Sequence, residues 1–207
     1  MASVTRRSST GPARRATTEA KIIEATERLL AGGERFTELG VQRLATEAGV
    51  GRSTFYLHFR DKTEVLLRII DTLADGAFDL FSVASPAVGA EGVVAIMVGN
   101  LRYYRERRHL LAAVLEVVAY DTLAREVWDA KLQRFIDLAE VWLRGDQDAG
   151  RTAPDLDPPT AARVFVWGGF QALANQVLIG PESQDEVVAR EIALLMWHGA
   201  FRRPAES

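Results

Sequence analysis

The chain has 207 residues, of which 48% are hydrophobic and 26% charged, so it can bury a sizeable core, and an intrinsically disordered protein is excluded. It has no cysteine, which excludes disulfides, thiolate metal sites and cysteine nucleophiles. The net charge of −3 is unevenly divided: residues 1–62 carry 11 basic and 7 acidic side chains, whereas residues 63–207 carry 14 and 21. This asymmetry indicates that only the first part of the chain meets a polyanion.

Neither a membrane span nor a secretion signal is predicted. No run of about 18 apolar residues is present, and no continuous apolar segment follows the basic N-terminus. We therefore expect a cytoplasmic protein with no membrane contact.

The first 16 residues combine Arg6, Arg7, Arg14 and Arg15 with small and polar residues. Such a composition cannot offset the entropy lost on ordering, so residues 1–16 are predicted to form a disordered basic arm. Two interpretations of this arm stay open. It is either a solvated tail or a segment that attracts phosphates or inserts Arg14 or Arg15 into a minor groove.

Helical periodicity begins at Thr17, where apolar residues recur three and four positions apart. A glycine pair ends this first helix, and two short helices are predicted at about 41–48 and 52–59. Asp61, with a glutamate three residues later, is typical of a helix start and predicts a fourth helix that continues to about Phe81.

Five further helices are predicted after a loop at residues 82–90, and another loop is predicted at residues 145–159. The helices cover about 91–107, 110–120, 123–144, 160–179 and 184–201. The sequence therefore predicts an all-α fold of about nine helices. Residues 17–62 would form one domain, and residues 63–207 a second.

The segment from Leu44 to Phe59 has the spacing of a helix-turn-helix. Ala45 is small where a second helix must pass closely, and Gly49 permits a positive φ at the turn four residues later. The second helix would enter a major groove and present hydroxyls and a ring nitrogen to phosphates and base edges. Its outward positions would be Arg52, Ser53, Thr54, Tyr56, Leu57 and His58. A buried helical hairpin without a partner is the alternative, but it does not explain these side chains.

About residues 17–70 resemble the DNA-binding domain of TetR-family regulators. The resemblance rests on residues 36–45, on the turn at 48–50, and on the string Thr-Phe-Tyr-Leu-His-Phe at 54–59 followed by Lys62. It implies that Thr54, Tyr56 and His58 lie on the recognition helix and that Lys62 contacts phosphate. The full set of DNA-binding residues predicted here is Arg43, Arg52, Ser53, Thr54, Tyr56, His58 and Lys62.

Gly40 and Gly51 depart from the TetR pattern. They stand where the family usually places serine or threonine, at the starts of the second and third helices. Glycine tolerates the N-cap conformation, so the fold is expected to survive, but two hydroxyls that could contact phosphate are absent.

Beyond about residue 70 the resemblance implies an α-helical domain for ligand binding and dimerisation, and the aromatic pattern is similar to that of actinobacterial ethionamide-resistance repressors. Apolar stripes on three helices predict a pocket for a small apolar effector, and two amides beside the stripes would need partners there. The predicted lining is Met97, Leu101, Tyr104, Trp128, Leu132, Phe135, Trp167, Phe170, Gln171 and Asn175. A plain filled core is the alternative.

The sequence thus predicts a repressor that binds a palindromic operator in double-stranded DNA as a homodimer and is released by its effector. The dimer would form through the last two helices, with candidate contacts at Phe165, Leu173, Val177, Val187, Ile192, Leu195 and Phe201. A ligand-independent or activating regulator is the alternative. No enzyme, cofactor or metal is predicted, because His58, His109 and His198 form no zinc-binding spacing and no nucleophile motif is present.

Overall fold

The computed structural model describes the backbone of residues 10–83 and 89–205, with the side chains of residues 15–83 and 89–205. These residues form nine α-helices and no strand, which confirms the all-α prediction. The helices are α1 (Thr10–Ala31), α2 (Val41–Glu47), α3 (Arg52–His58), α4 (Lys62–Ser82), α5 (Gly89–Glu106), α6 (Arg108–Val118), α7 (Thr122–Asp148), α8 (Pro158–Leu178) and α9 (Asp185–Met196). A 3₁₀ turn (Glu182–Gln184) precedes α9, and a π-helical turn (Trp197–Phe201) follows it. None of the described helices is both long and apolar enough to cross a bilayer.

The first helix begins at Thr10, earlier than the sequence predicted. The expectation of a disordered arm is therefore wrong for residues 10–16. Pro12 falls in the first turn, where a missing N–H costs little, and the alanines and arginines that follow favour helix. Arg15 also pairs with Glu19 one turn later, at 3.0 Å. Arg6, Arg7 and the Arg14 side chain lie outside the described residues.

The contacts divide the chain into two units, with the boundary between Ile69 and Ile70 inside α4. The first unit is organised by α1, α2 and α3, which pack on one another. Its fully buried side chains include Ile22, Phe36, Leu44, Phe55 and Leu66. The start of α4 is fixed by Asp61, whose Oδ1 accepts a hydrogen bond from the Glu64 N–H at 2.9 Å, as the sequence predicted.

In the second unit, α5 packs along α9 and α7 along α8. The predicted loop at residues 145–159 is shorter than expected, because α7 continues to Asp148 and α8 already begins at Pro158. Two prolines at the start of α8 are compatible with helix, because first-turn N–H groups have no intrahelical acceptor.

The glycine pair in the middle of α8 does not break the helix. A Cβ on Gly169 would stand 2.3 Å from the Met196 Cε, whereas a Cβ on Gly168 would meet nothing within 4 Å. At Gly169, α9 therefore lies against the α8 backbone.

A partly buried ion pair fixes the turn between α8 and α9. The Arg105 guanidinium of α5 donates to both carboxylate oxygens of Asp185, at 2.9 and 2.6 Å. It also donates to the backbone oxygens of Gln176, Val177 and Gly180. The oxygens of Gln176 and Val177 lie in the last turn of α8, where carbonyls lack intrahelical partners, and that of Gly180 lies just beyond the helix. Arg105 therefore caps α8 and holds the first residue of α9 at the same time.

Candidate nucleic-acid interface and ligand cavity

Helices α2 and α3 are held together by a short, tight turn. The Val50 N–H donates to the Ala45 backbone oxygen at 2.9 Å, and Gly49 has a φ of +67° that favours glycine. Ala45 and Phe55 are completely buried where the two helices meet. The turn therefore has the features that the sequence predicted for a helix-turn-helix.

One face of α3 is left open to solvent. Arg52 and Ser53 are exposed, Tyr56 is 47% exposed and Leu57 is 75% exposed, while Thr54 is half-buried. The Arg52 guanidinium lies 5.7 Å from the centre of the Tyr56 ring, and among the described residues it has no carboxylate partner. Arg52 therefore carries a positive charge at the start of α3 that is not neutralised by the described part of the chain.

His58 does not lie on this open face, so its predicted outward position is wrong. Its side chain is 11% exposed, and its Nδ1 lies 3.3 Å from the Glu19 Oε1 of α1. His58 follows the buried Phe55 by three residues, which places both on the inner face of α3. Burial raises the pKa of Glu19, but the hydrogen bonds with Arg15 and His58 outweigh burial and the pKa lies below its ordinary value.

Arg43 lies on the surface of α2 between two carboxylates. Its guanidinium is 2.8 Å from the Glu34 Oε1 and 3.2 Å from the Glu47 Oε2. The hydrogen bond with Glu34 is the largest influence that raises the pKa of Arg43 above its ordinary value. Phosphate would have to compete with both carboxylates for this side chain.

Lys62 donates hydrogen bonds within the protein, and the phosphate contact that the resemblance implies stays a prediction. Its Nζ donates to the backbone oxygens of Phe36, Thr37 and Leu39 at 2.9, 2.8 and 2.9 Å. An ammonium has three N–H donors, so these carbonyls use all of them. Lys62 therefore anchors the loop between α1 and α2 to the start of α4.

Replacing Lys62 by methionine tests this anchoring role. Lys62→Met keeps an unbranched side chain beside the Phe36 ring but removes every donor, so the free energy of unfolding is expected to fall by about 2 kcal/mol. Chemical denaturation of the full chain measures this, with exposed Lys21→Met as the matched control. Unchanged stability, together with a lower salt dependence of DNA binding, would instead support the phosphate contact.

A small apolar cavity lies within the second unit, between α4, α5, α7, α8 and α9. Its volume is about 50 Å³, and a second cavity of about 20 Å³ shares part of its wall. The larger cavity is lined by Phe81, Met97, Asn100, Tyr104, Leu132, Phe135, Phe165, Val166, Gly169, Phe170, Leu173 and Met196. Five of the predicted lining residues are among these: Met97, Tyr104, Leu132, Phe135 and Phe170.

Three other predicted lining residues belong to the surrounding core. Leu101 and Trp128 are buried but do not line this cavity, and Trp128 packs behind it with its ring 5.3 Å from that of Phe170. Trp167 is half-buried against an apolar cluster formed by α7, α8 and the π-helical turn. Their placement at the lining was therefore wrong, although Trp128 lies one side chain away.

The two predicted amides do not face the cavity. Gln171 and Asn175 are exposed, while the neighbouring Phe170, Leu173 and Ala174 are buried. The buried amide of α8 is Gln176, whose Nε2 donates to the Pro181 oxygen and to Asp185. Neither predicted amide can therefore hold a ligand in the cavity.

Asn100 is the polar lining residue that the sequence analysis missed. It lies three positions after Met97 and four before Tyr104, so it shares their face of α5. An amide in the middle of an apolar stripe was the signal that could have identified it.

A larger groove runs along the outer surface of α8 and α9. It has a volume of about 490 Å³ and is lined mainly by small and apolar side chains, among them Val164, Gly168, Ala172, Leu195 and Gly199. Val164 is 65% exposed and Leu195 73% exposed. This surface is described below as the α8–α9 groove.

Comparison with known proteins identifies the type of DNA-binding region. Residues 22–69 match the model of the bacterial regulatory proteins of the tetR family. EthR of Mycolicibacterium smegmatis, an HTH-type transcriptional regulator, is 29% identical over 143 residues, which is 68% of this chain and 65% of EthR. The match thus spans less than two thirds of that relative. The matched part, residues 22–69, is therefore a DNA-binding region of the TetR type.

Solved structures of TetR-like proteins share the fold at low sequence identity. NalD of Pseudomonas aeruginosa, the secondary repressor of a multidrug efflux pump, aligns with a TM-score of 0.71 at 19% identity, over 91% of this chain and 99% of NalD. FadR of Bacillus subtilis, solved with stearoyl-CoA, aligns with a TM-score of 0.70 at 16% identity, over 87% of this chain and 98% of FadR. Members of the TetR family are DNA-binding transcriptional regulators.

The two glycines that depart from the TetR pattern take the positions expected of them. Gly40 and Gly51 are the N-caps of α2 and α3, both with extended backbone and neither with a side-chain cap. The helix starts are therefore kept without the hydroxyls.

No metal site accompanies these features in the part of the chain described. There, no group of three or more His, Cys, Asp or Glu side chains is placed to hold a metal ion.

Proposed function

We propose that this protein is a transcriptional repressor that binds a palindromic operator as a homodimer and is released from it by a small apolar effector. The exposed face of α3 carries the proposal, because Arg52, Ser53 and Tyr56 stand open on a helix whose other face is anchored by Phe55. Arginine, hydroxyl and phenol groups suit phosphate and base-edge contacts in a major groove. Thr54, half-buried beside them, is proposed to influence sequence preference.

The α8–α9 groove supports the homodimer. Exposed apolar side chains such as Val164 and Leu195 are costly in water, and a two-fold axis would cover them with the same surface of a second copy. Of the candidate contacts from the sequence, Val187 and Leu195 are exposed and Phe165 is half-buried. Leu173, Val177, Ile192 and Phe201 are buried within the protomer and are not proposed as its main contacts. Exposed Gln171 and Asn175 are proposed to belong to this surface.

The connection between α7 and α4 supports control by an effector. Lys131 of α7 lies 2.8 Å from Asp71 and 3.2 Å from Asp75 of α4, and Arg134 also pairs with Asp75. Leu132, next to Lys131, lines the cavity. An effector that displaces α7 would therefore displace α4, whose first turns belong to the DNA-binding unit. A ligand releases DNA only by binding the non-DNA conformation better, typically by about 1–3 kcal/mol.

A second candidate function is a regulator whose DNA binding does not respond to any effector. The cavity of about 50 Å³ favours it, because drug-sized ligands occupy roughly 300–1,000 Å³. A titration of ligand with and without operator DNA separates the two functions. A lower affinity for ligand in the presence of operator DNA supports the repressor released by ligand. Equal affinities for ligand with and without operator DNA support the second candidate.

The DNA-binding proposal is tested by selection from a random duplex library. The selected sequences are expected to contain an inverted repeat whose half-sites are about 34–36 Å apart, one helical turn, or a multiple of that spacing. Recovery of no enriched sequence would contradict the proposal.

Arg52→Ala is expected to weaken binding to the selected duplex and to lower the slope of log K against log salt by about two, one phosphate contact for each protomer. Arg144→Ala, which removes an exposed arginine of α7 paired with Glu140, is the matched control and should change neither quantity. Electrophoretic shifts over a range of salt concentrations measure both. An unchanged slope for Arg52→Ala would remove Arg52 from the proposed interface.

A further inference from the structure

Two polar side chains line the otherwise apolar cavity. Asn100 and Tyr104 lie four positions apart on α5, so they share one face of the helix. Asn100 is 6% exposed and Tyr104 is 4% exposed. Buried polar groups in proteins are normally hydrogen-bonded, so the partners of these two groups show what the cavity can accept.

Neither side chain is saturated by the described part of the protein. The Asn100 Nδ2 donates to the Ile96 backbone oxygen at 3.3 Å, which leaves its second N–H and its oxygen unused among the described contacts. The Tyr104 hydroxyl has no hydrogen bond to any described residue, and its ring packs between those of Tyr103 and Phe170. No fully enclosed side-chain oxygen or nitrogen in the described residues lacks a partner, so this hydroxyl must border open space. The space that Tyr104 lines is the cavity.

Tyr104 is available as a hydrogen-bond donor at physiological pH. Burial, and to a smaller extent the nearby Tyr103, raises the pKa of the Tyr104 hydroxyl well above its ordinary value. The group therefore keeps its proton and can donate it to an oxygen acceptor.

The lining also excludes charged ligand groups. It contains no Asp, Glu, Lys, Arg or His side chain. A carboxylate, phosphate or ammonium placed there would lose its hydration without gaining an opposite charge, which costs far more free energy than burying a neutral group. The chemistry of the wall therefore selects an uncharged ligand.

The wall between the two cavities indicates an elongated ligand. Both cavities share Phe81, Met97, Phe165 and Met196. Methionine is unbranched and adapts its shape, so rotation of Met97 and Met196 would join the two spaces. Leu132 borders one cavity and Trp142 the other, ten residues further along α7, a distance of roughly 15 Å.

We propose that the effector is an uncharged, linear and largely apolar molecule with one oxygen acceptor, such as a ketone or ester. Tyr104 and Asn100 bind this oxygen, and Met97 and Met196 move aside to admit the hydrocarbon part of the molecule. This inference rests on the proposed function and names its effector class.

Three probes with ten carbons each test the proposal: methyl octyl ketone, decane and decanoate. Titrations followed by tryptophan fluorescence should rank the ketone first, because it alone is both uncharged and able to accept a hydrogen bond. Trp142 borders the second cavity and Trp128 packs behind the first, so both report occupancy. Tyr104→Phe is expected to lower the affinity for the ketone roughly fivefold and to leave the affinity for decane unchanged.

Tyr103→Phe is the matched control, because the Tyr103 hydroxyl bonds the Thr72 backbone oxygen and Tyr103 does not line the cavity. Asn100→Leu provides a second test of the oxygen site and should also lower the affinity for the ketone but not that for decane. Tightest binding by decanoate, equal ketone affinity in wild type and Tyr104→Phe, or no binding by any probe would each overturn the proposal.

The outcome for DNA separates this inference from the proposed function. If the ketone releases the selected operator duplex equally well from wild type and from Tyr104→Phe, the oxygen site is wrong and the repressor function stands. If the ketone binds as expected but leaves DNA affinity unchanged, the oxygen site stands and the effector-controlled release fails.

Discussion

Replacing Leu195 by glutamate is expected to convert the proposed dimer into monomers and to remove most of its DNA affinity. The side chain is 73% exposed on the α8–α9 groove, so glutamate is tolerated by the folded protomer. In a two-fold dimer the same change would bury two uncompensated charges, which should raise the dimer dissociation constant roughly 100-fold or more. Sedimentation velocity at micromolar concentration measures the change.

DNA binding provides an independent measurement of the same variant. A monomer contacts a single half-site, so the slope of log K against log salt should fall to about half the wild-type value. Val141→Glu is the matched control, because Val141 is 64% exposed on α7, outside the groove. It should remain dimeric. A dimeric Leu195→Glu variant, or a wild-type protein that sediments as a monomer, would contradict the assignment of the groove.

Replacing Arg105 by alanine is expected to lower the free energy of unfolding by about 3 kcal/mol, because it removes the charged partner of the partly buried Asp185 carboxylate and a hydrogen-bond donor to the backbone oxygens of Gln176, Val177 and Gly180. The two charged side chains are only 12% and 14% exposed, so water replaces the lost hydrogen bonds poorly. Chemical denaturation at one fixed protein concentration measures the effect, since the stability of a dimer depends on concentration.

The same two helices provide the control for Arg105. Arg190 of α9 pairs with Glu91 of α5 at 2.7 Å, but both side chains are exposed, and Arg190→Ala should cost less than about 1 kcal/mol. Similar losses from the two variants would contradict the capping role of Arg105.

The ion pair also predicts an acid dependence. Burial raises the pKa of Asp185, but the hydrogen bonds from Arg105 and Gln176 outweigh burial, so its pKa lies below the ordinary value. The pair's contribution to stability is then complete above the unfolded-state pKa, about 3.9, and is lost as pH falls below it. Asp185→Asn should therefore lower stability at pH 7 and lose this part of the acid dependence.

The helix-turn-helix could be predicted from sequence because local chemistry determines it. The positive φ of the turn requires Gly49, and the proximity of the next helix requires Ala45. Both residues lie within a few positions of the structural feature that requires them. Lys62 behaves differently. Its partners are the carbonyls of a loop more than twenty residues earlier, and no periodicity indicates where a lysine side chain ends.

The ligand cavity was only half predictable, because α8 is apolar on more than one face. Val166 and Leu173 face the core, while Val164 is exposed. Hydrophobic spacing therefore does not determine which side of this helix is inside, and the amides at 171 and 175 were assigned to the wrong face. On α5 and α7, Met97, Tyr104, Leu132 and Phe135 line the cavity, whereas Leu101 and Trp128 on the same helices are buried beside it.

The packing of α5 along α9 also constrains when the protein can assemble. Arg105 and Asp185 are 80 positions apart, and the proposed dimer surface needs α8 and α9 held together by that contact. A ribosome must therefore have synthesised α9 before the surface exists, and nascent chains that end within α8 cannot pair. Pairing of protomers should thus follow synthesis of α9, and variants co-expressed from separate genes are expected to form mixed dimers.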